Sequence, residues 1–245
     1  MQTPVAVVLA AGKGTRMGSD LAKVLHPVAG APMVYYPIRS AQEAGVGDVV
    51  VVVGHQAADV QAKVKEAFPA ARFALQREQR GTGHAVLCAL EALGGVSGPV
   101  LILSGDVPML RTQTLSQLLE AAEGASGRLA LATFRPAAAS GYGRILREEG
   151  RVIGIREEKD ASPEERAIGE CNAGLYCADV GLLREVLPRL GSDNAQGEIY
   201  LTDLVAEAAQ RGDVAAVLVD AEEVAGVNTR EQLAVVDARL RQVRE

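Results

Sequence analysis

The chain has 245 residues, a mass of 25.6 kDa and a formal net charge of -6. This length can bury a substantial core in one large domain. The acidic balance argues against a nucleic-acid footprint, no apolar run approaches the length of a membrane span, and no basic segment marks a signal peptide. We therefore expect a cytoplasmic protein without nucleic-acid or membrane partners, in which local cations attract any anionic substrate.

The cysteines do not indicate a metal site or a disulfide framework. Cys88, Cys171 and Cys177 are odd in number, lack metal-ligand spacing and lie among apolar residues. These features predict buried free thiols.

A short apolar run at residues 5–9 precedes a glycine-rich loop. The run is too short for a buried helix and predicts a strand buried on both faces. Gly12 and Gly14 allow positive φ and close approach of backbone N–H groups to an anion. Positive charge in or near the loop comes from Lys13, Arg16 and Lys23. The pattern predicts a phosphate cradle, and a glycine-rich turn with solvated cations is the alternative.

The spacing of this loop excludes the two commonest phosphate motifs. The dinucleotide fingerprint needs a third glycine where Met17 stands, and no glycine, lysine and hydroxyl residue follow one another as in the P-loop. An oxidoreductase is therefore disfavoured.

Alternating strands and helices predict an α/β fold with a Rossmann-like, doubly wound, mostly parallel sheet. The predicted strands are residues 5–9, 48–53, 72–75, 99–103, 128–133 and 214–219. The predicted helices are residues 32–44 and 58–68, one beginning at Thr82 or Gly83, and one beginning near Thr112.

Residues 137–197 break the regular alternation and predict an inserted β-rich lobe, with a hairpin turn at Glu149 and Gly150. Residues 193–203 are expected to open a further helix. The predicted organisation is one domain at residues 1–228, containing this lobe, followed by a C-terminal helix at residues 229–245.

The terminal helix carries a capping-box spacing, Thr229 to Gln232, and one apolar face. That face consists of Leu233, Val236, Leu240 and Val243. It either packs on its own domain or serves as a linker or assembly surface.

Polar residues follow two of the predicted strands, at the edge where open sheets bind ligands. Gln76, Gly81 and Thr82 lie where a strand end meets a helix N-terminus, and a side-chain amide suits the alternating edge of a pyrimidine such as uracil. For Gln76 the alternative is a solvated strand end. Asp106 follows Gly105 after another strand and could hold Mg²⁺ as a hard oxygen ligand, or it could cap the helix near Thr112.

Polar residues at the turns and strand ends of the lobe could pair with the hydroxyls of a desolvated sugar, or could simply be solvated. They are Gly143, Glu157, Lys159 and Asn172.

Eight segments, in chain order, carry a family resemblance: LAAGKGTRMGSDLAKVL, LQREQRGTGHA, SGDVP, GYGRI, EEKDA, ECNAGLY, NAQGEIYLTD and GVNTREQL. Together they resemble the uridylyltransferase domain of bacterial bifunctional N-acetylglucosamine 1-phosphate uridylyltransferases, which are sugar nucleotidyltransferases.

The resemblance implies a role for each matching residue. Residues implied at the nucleotide phosphates are Gly12, Gly14, Thr15 and Arg16, with Lys23 beside the reacting phosphates. Residues implied at the uracil are Gln76, Gly81 and Thr82. The implied Mg²⁺ ligands are Asp106 and Asn228. The implied sugar-binding residues are Gly143, Glu157, Asn172 and Lys159. Arg16 and Lys23 are the expected catalytic residues.

The implied reaction transfers UMP from UTP to N-acetylglucosamine 1-phosphate with Mg²⁺, giving the cell-envelope precursor UDP-N-acetylglucosamine and pyrophosphate. The nucleophile is a phosphate oxygen that is already ionised, so no general base is required. The alternatives are a glucose 1-phosphate uridylyltransferase, another sugar-phosphate nucleotidyltransferase such as a cytidylyltransferase, and a non-catalytic nucleotide or UDP-sugar sensor.

The sequence departs from the family pattern at three positions. Ser104 stands where relatives often have tyrosine, Ala22 replaces a proline and Ala173 replaces a threonine. These departures bear on the sugar pocket and leave the phosphate chemistry untouched.

The family's second activity, acetyl transfer, resides in a C-terminal β-helix whose hexapeptide repeats do not occur in these 245 residues. The sequence is therefore expected to be either a separate uridylyltransferase or a part of a longer protein. Its expected partners are UTP, N-acetylglucosamine 1-phosphate, and either a separate acetyltransferase chain or a second copy bound through the terminal helix.

Overall fold

The computed structural model describes the backbone of residues 2–244 and the side chains of residues 2–242. Within these residues, the strands are β1 (Val5–Ala10), β2 (Pro27–Val28), β3 (Ala31–Pro32), β4 (Asp48–Val53), β5 (Arg72–Leu75), β6 (Pro99–Ser104), β7 (Leu129–Phe134), β8 (Arg144–Glu148), β9 (Arg151–Arg156), β10 (Cys171–Asp179) and β11 (Ala215–Leu218). The helices are α1 (Tyr35–Glu43), α2 (Ala57–Ala67), α3 (Thr82–Leu93), α4 (Thr112–Gly124), α5 (Pro163–Arg166), α6 (Val180–Val186), α7 (Asp203–Ala209) and α8 (Arg230–Arg244).

The main sheet has the strand order β11-β7-β10-β6-β1-β4-β5. Strand β1 pairs in parallel with β4 and β6, β4 with β5, and β7 with β11. Only β10 runs antiparallel within this order, between β6 and β7, and the β8–β9 hairpin attaches to its start. The predicted Rossmann-like, doubly wound and mostly parallel sheet is confirmed.

Strand β1 is buried on both faces because helices cover both sides of the sheet. Val8 packs in the core formed with α1, α2 and α4, whereas Val7 packs in the opposite core with α3, α6 and α7. Both valines are fully buried. Burial of one such side chain typically stabilises a fold by about 1.5–3 kcal/mol, which explains the continuous apolar run.

The lobe predicted at residues 137–197 differs from the structure. The β8–β9 hairpin forms, with Glu149 and Gly150 at positive φ in its turn. Strand β10 lies in the main sheet instead of in a separate lobe, and α6 packs on the same sheet. Asn172 and Gly174 lie in the first half of β10, where a bulge interrupts the pairing with β7. They weaken the sequence pattern of a strand, so β10 was not predicted as part of the main sheet.

The helix expected to open at residues 193–203 begins only at Asp203. The backbone before Asp203 makes long-range hydrogen bonds instead. Ile199 donates its N–H to the Arg80 carbonyl at 2.8 Å, and its carbonyl accepts from the Gly83 N–H at 2.9 Å. These long-range bonds replace the local bonds that a helix would need.

Helix α8 packs on its own domain. Leu233, Val236 and Leu240 contact a small cluster that includes Val28 and Met33. The Val243 side chain lies outside the described residues. Gln232 and Thr229 form the predicted capping box, because each side chain accepts a hydrogen bond from the backbone N–H of the other. Most of the apolar face of α8, which the sequence offered as a possible assembly surface, is therefore covered by the chain's own domain.

Two further expectations concern thiols and membranes. Cys171 and Cys177 are buried free thiols, and burial raises the pKa of Cys177 to about 12, whereas Cys88 is only half-buried. Among the described residues, no helix is both long enough and apolar enough to cross a membrane.

Candidate active site

The carboxyl ends of the parallel strands β1, β4, β5 and β6 meet at one edge of the sheet. Because β10 is antiparallel, its amino end lies at this same edge, where Asn172 pairs with Thr133 at the end of β7. The edge therefore gathers the loops after the parallel strands and the start of β10.

The glycine-rich loop after β1 is shaped by left-handed backbone at two glycines. Gly14 (φ 64°) and Gly18 (φ 56°) flank a short 3-10 turn at Thr15–Met17. A Cβ on Gly14 would lie 2.5 Å from the Lys23 Cβ, so this position needs glycine for conformation and for space. Gly12 does not use the positive φ that glycine allows, and it is exposed with no atom within 4 Å of an added Cβ.

The predicted catalytic and metal-binding residues come together in one cluster. The Lys23 ammonium forms an ion pair with Asp106 and donates to Asn228 Oδ1 at 3.1 Å. Arg16 Nη2 donates to the same amide oxygen at 3.0 Å. Residues more than two hundred positions apart in the chain therefore meet at the edge of the sheet.

Backbone contacts fix both oxygen ligands of this cluster. The Val227 N–H donates to the Asp106 carbonyl at 2.9 Å, which holds the segment carrying Asn228 against β6. A Cβ on Gly105 would lie 2.9 Å from the Leu9 carbonyl oxygen, so glycine lets the two strand ends approach closely. Helix α4 begins at Thr112 with Arg111 as its N-cap residue, so the alternative role of Asp106 as a cap is wrong.

The donor chemistry of this cluster fits a hard divalent cation. Asp106 and Asn228 direct one oxygen each at a single positive charge, the Lys23 ammonium. Oxygen donors suit Mg²⁺, which usually takes one or two protein ligands and completes its shell with water and substrate phosphates. The described residues contain no group of three or more histidine, cysteine or carboxylate side chains that could hold a metal by themselves.

The segment predicted to bind the base is held by buried hydrogen bonds. Gln76 is only 4% exposed, which excludes the solvated alternative, and its Nε2 donates to the Gly81 carbonyl at 3.0 Å. The same nitrogen lies 3.2 Å from His84 Nδ1, a contact that the sequence did not reveal.

Gly81 and Thr82 also contact the chain before α7. A Cβ on Gly81 (φ 100°) would lie 2.6 Å from the Ile199 carbonyl oxygen. Thr82 Oγ1 accepts from the Leu201 N–H at 3.2 Å. This contact joins the segment that is predicted to bind the base to the residues directly before α7.

Three of the four predicted sugar-binding residues lie together. The Asn172 N–H donates to the Gly143 carbonyl at 2.9 Å, and a Cβ on Gly143 would lie 3.5 Å from Glu157 Oε2. The Asn172 amide is fixed by Tyr176, whose hydroxyl accepts from Nδ2 at 2.7 Å, and by the Gly174 N–H, which donates to Oδ1 at 3.0 Å.

Lys159 differs from these three residues. It is exposed, and its ammonium donates to Gln196 Oε1 at 2.7 Å. The described contacts therefore do not bring Lys159 into the group formed by Gly143, Glu157 and Asn172.

Glu157 is an unusual carboxyl group, because it is largely buried and paired with a neutral donor. Burial raises its pKa above the usual 4.5, as do the charges of Asp203, Asp160 and Glu198, while a hydrogen bond from Thr202 Oγ1 at 3.0 Å opposes the rise. Thr202 is a site residue that sequence reasoning missed, although it lies in the NAQGEIYLTD segment.

Glu157 lines a cleft of about 120 Å³ between the hairpin and the chain before α7. The lining is mostly polar and acidic: Ile155, Arg156, Glu157, Asp160, Asp193, Asn194, Tyr200, Thr202 and Asp203. Carboxylates accept hydrogen bonds from hydroxyl groups but repel phosphates. The cleft therefore suits hydroxyl groups better than phosphates, whereas the cations Lys23 and Arg16 suit an anionic group.

Comparison with known proteins places this arrangement in context. Residues 6–163 match the MobA-like NTP transferase domain. The chain is similar to the bifunctional protein GlmU of Anaeromyxobacter dehalogenans strain 2CP-C, with 56% identity over 95% of this chain and 49% of the relative. Identity to the GlmU proteins of Anaeromyxobacter sp. strain Fw109-5 and Geobacter sulfurreducens is 58% and 50%, over 95% and 96% of this chain.

The chain spans about half the length of the curated relatives that it matches. Among solved structures, it resembles a Bacillus anthracis protein described as a glucose-1-phosphate thymidylyltransferase, with a TM-score of 0.74 over 98% of this chain and 96% of that one. Sequence identity to that protein is 17%, so this likeness supports the fold alone.

Proposed function

The chain belongs to the MobA-like NTP transferase domain family, and from this premise we propose that it transfers UMP from UTP to N-acetylglucosamine 1-phosphate, releasing pyrophosphate. The observation that carries the proposal is the cluster of Arg16, Lys23, Asp106 and Asn228 at one sheet edge. The identity of 50–58% to GlmU proteins over nearly the whole chain supports this assignment.

The residues of the cluster suit a reaction that needs alignment more than proton transfer. The attacking phosphate oxygen of a sugar 1-phosphate is ionised at neutral pH, so a general base is unnecessary. Arg16 and Lys23 would neutralise charge on the triphosphate and on the departing pyrophosphate, and the backbone of the glycine-rich loop would orient the phosphates.

Mg²⁺ would be held by Asp106 and Asn228, whose oxygens already converge on a cation. When bound, it supplies charge neutralisation between two anionic substrates. Lys23 would then exchange its contact with Asp106 for a contact with phosphate oxygens.

The sugar would be selected by Glu157, Asn172 and the backbone at Gly143, which lie together near the acidic cleft. Lys159 would join them only by leaving Gln196. The base would lie against Gly81 and Thr82, and Gln76 would hold this segment in place through its hydrogen bond to the Gly81 carbonyl.

A glucose 1-phosphate uridylyltransferase is the second candidate, because departures from the family pattern lie beside the sugar residues. A Cβ on Gly174 would lie 3.8 Å from the Ser104 hydroxyl, and Ala173 is the residue between Gly174 and Asn172. The phosphate chemistry of both candidates is the same.

Pyrophosphate release from UTP tests the proposal, with N-acetylglucosamine 1-phosphate and glucose 1-phosphate supplied in parallel, with Mg²⁺ or with a chelator. We expect Mg²⁺-dependent release with a clear preference for the N-acetyl sugar. Preference for glucose 1-phosphate would establish the second candidate. Binding of UTP without release with either sugar would overturn catalysis and leave a nucleotide sensor.

A further inference from the structure

The first residue of α8 reaches back to the glycine-rich loop. Arg230 Nε donates to the Met17 carbonyl at 2.9 Å, and its Nη2 donates to the Gly18 carbonyl at 2.7 Å. A planar guanidinium can make both bonds at once, which the single ammonium of a lysine does less well. Neither the loop motif nor the family segments assigned a role to this side chain.

The two carbonyls lie at the end of the 3-10 turn, directly after Arg16. Asn228, two residues before Arg230, accepts from the Arg16 side chain at 3.0 Å. One short segment therefore holds Arg16 through its guanidinium and the following backbone through two carbonyls. The same segment carries the proposed metal ligand Asn228.

We propose that Arg230 is a positioning residue that holds the glycine-rich loop in its phosphate-binding conformation and ties it to Asn228. Both acceptors are neutral carbonyls, so these two bonds do not neutralise the guanidinium, whose charge interacts with the neighbouring Glu231 carboxylate. The inference rests on the proposed function only in taking the loop to bind the phosphates of a nucleoside triphosphate.

Helix α8 has other anchors, so its docking does not depend on Arg230 alone. Its apolar face packs on Val28 and Met33, and Asp237 accepts from the Ala29 N–H at 2.7 Å. Loss of Arg230 is therefore expected to loosen the loop while the helix stays in place.

The test compares Arg230→Ala with Arg241→Ala, a matched control. Arg241 is an exposed arginine of the same helix, and it pairs with Asp237 within that helix. Hydrogen exchange at the Met17 and Gly18 amides of the ligand-free protein reports the order of the turn, because these amides bond to Gly14 and Thr15. We expect about tenfold faster exchange in Arg230→Ala and no change in the control.

Binding and kinetics supply the second readout. We expect the Kd for UTP with Mg²⁺ and the KM for UTP to rise about tenfold in Arg230→Ala, while the KM for the sugar 1-phosphate stays within about twofold. Arg230→Lys retains the charge but loses the planar guanidinium that makes two hydrogen bonds. Its Kd and KM for UTP should therefore lie between those of Arg230→Ala and those of the unmodified protein.

Unchanged exchange at Met17 and Gly18 in Arg230→Ala would overturn the inference. The inference would also be overturned if Arg230→Ala lowered the melting temperature and kcat but left the exchange and the KM for UTP normal. That pattern would indicate that Arg230 stabilises the fold without positioning the loop. If the unmodified protein releases no pyrophosphate, the proposed function fails, whereas the exchange and UTP-binding comparisons still decide the role of Arg230.

Discussion

The proposed phosphate end and the proposed sugar end of the site are built in different ways. At the proposed phosphate end, three of the four side chains are charged: Lys23 pairs with Asp106, and both Lys23 and Arg16 donate to the neutral amide oxygen of Asn228. At the proposed sugar end, neutral side chains hold the two polar residues: Thr202 donates a hydrogen bond to Glu157, and the Tyr176 hydroxyl accepts one from Asn172.

This difference indicates how each end responds to its ligand. The Lys23 ammonium is already paired with the Asp106 carboxylate. We therefore expect Lys23 to exchange this contact for one with the anion when an anionic substrate binds. At the proposed sugar end, Glu157 and Asn172 are held by hydrogen bonds to Thr202 and Tyr176 beside a strand bulge, so these two side chains can contact a sugar without rearrangement. We therefore expect substitutions at the phosphate end to reduce turnover for every sugar, and substitutions at the sugar end to change selectivity.

The largest effect is expected for Asp106→Asn. The variant removes the negative charge that holds a cation between two anionic substrates, and turnover should fall about a hundredfold to a thousandfold, as for loss of a preorganised charge-stabilising group. Pyrophosphate release measures the loss, and circular dichroism checks the fold. Asp48→Asn is the control, because Asp48 pairs with Arg72 at the opposite end of β4. Near-normal turnover in Asp106→Asn would remove this residue from the mechanism.

Gly81→Ala tests the junction between the two ends. Alanine at φ 100° is strained, and its Cβ would lie 2.6 Å from the Ile199 carbonyl oxygen, so the unfolding free energy should fall by roughly 3 kcal/mol. The control is Gly94→Ala, where φ 48° and ψ −123° also strain an alanine but nothing lies within 4 Å, so a smaller loss of about 1–2 kcal/mol is expected from backbone strain alone. Equal losses in urea denaturation would show that the contact with Ile199 is unimportant.

Glu157→Gln tests the sugar end by removing a charged acceptor without changing its size. The KM for the sugar 1-phosphate should rise about tenfold to a hundredfold, while the KM for UTP stays unchanged. Glu148→Gln, on the exposed end of β8, is the control. An equal rise in the KM for UTP would contradict a separate sugar end.

The smallest effect is a pH dependence of stability. Because the pKa of Glu157 is raised in the folded protein, the folded state binds more protons than the unfolded chain between the usual pKa of 4.5 and the raised value. Stability contributed by this group is therefore lost as the pH rises through that window. Urea denaturation from about pH 4 to about pH 7 should show a smaller decline in Glu157→Gln than in the unmodified protein. Parallel curves would contradict the raised pKa.

The sequence indicated most of the residues that meet at the proposed phosphate end, because their signals are local. An apolar strand, two glycines and nearby cations within residues 5–23 define the loop, and Asp106 follows a predicted strand, whereas the role of Asn228 was implied by the family resemblance. Parallel topology alone then brings the strand ends to one edge. Of the two glycines that allow positive φ, Gly14 adopts it and Gly12 does not, because two glycines in a loop do not reveal which one makes the turn.

The sugar end was harder to predict because long-range hydrogen bonds define it. Thr202 meets Glu157 across 45 residues, and Ile199 bonds to the backbone around Gly81, which prevents the helix expected there. Strand β10 was assigned to the lobe because its bulge hides the alternation of a sheet strand. The contacts of Arg230 with the loop were not predicted because their acceptors are backbone carbonyls, which carry no side-chain signature.

The most direct test of this account is the ratio of kcat/KM for N-acetylglucosamine 1-phosphate to that for glucose 1-phosphate, measured in the unmodified protein, Asp106→Asn and Asn172→Ala. The account predicts that Asp106→Asn lowers both values equally and leaves the ratio unchanged, whereas Asn172→Ala moves the ratio toward one. A changed ratio in Asp106→Asn, or an unchanged ratio in Asn172→Ala, would contradict the separation of phosphate chemistry from sugar selection.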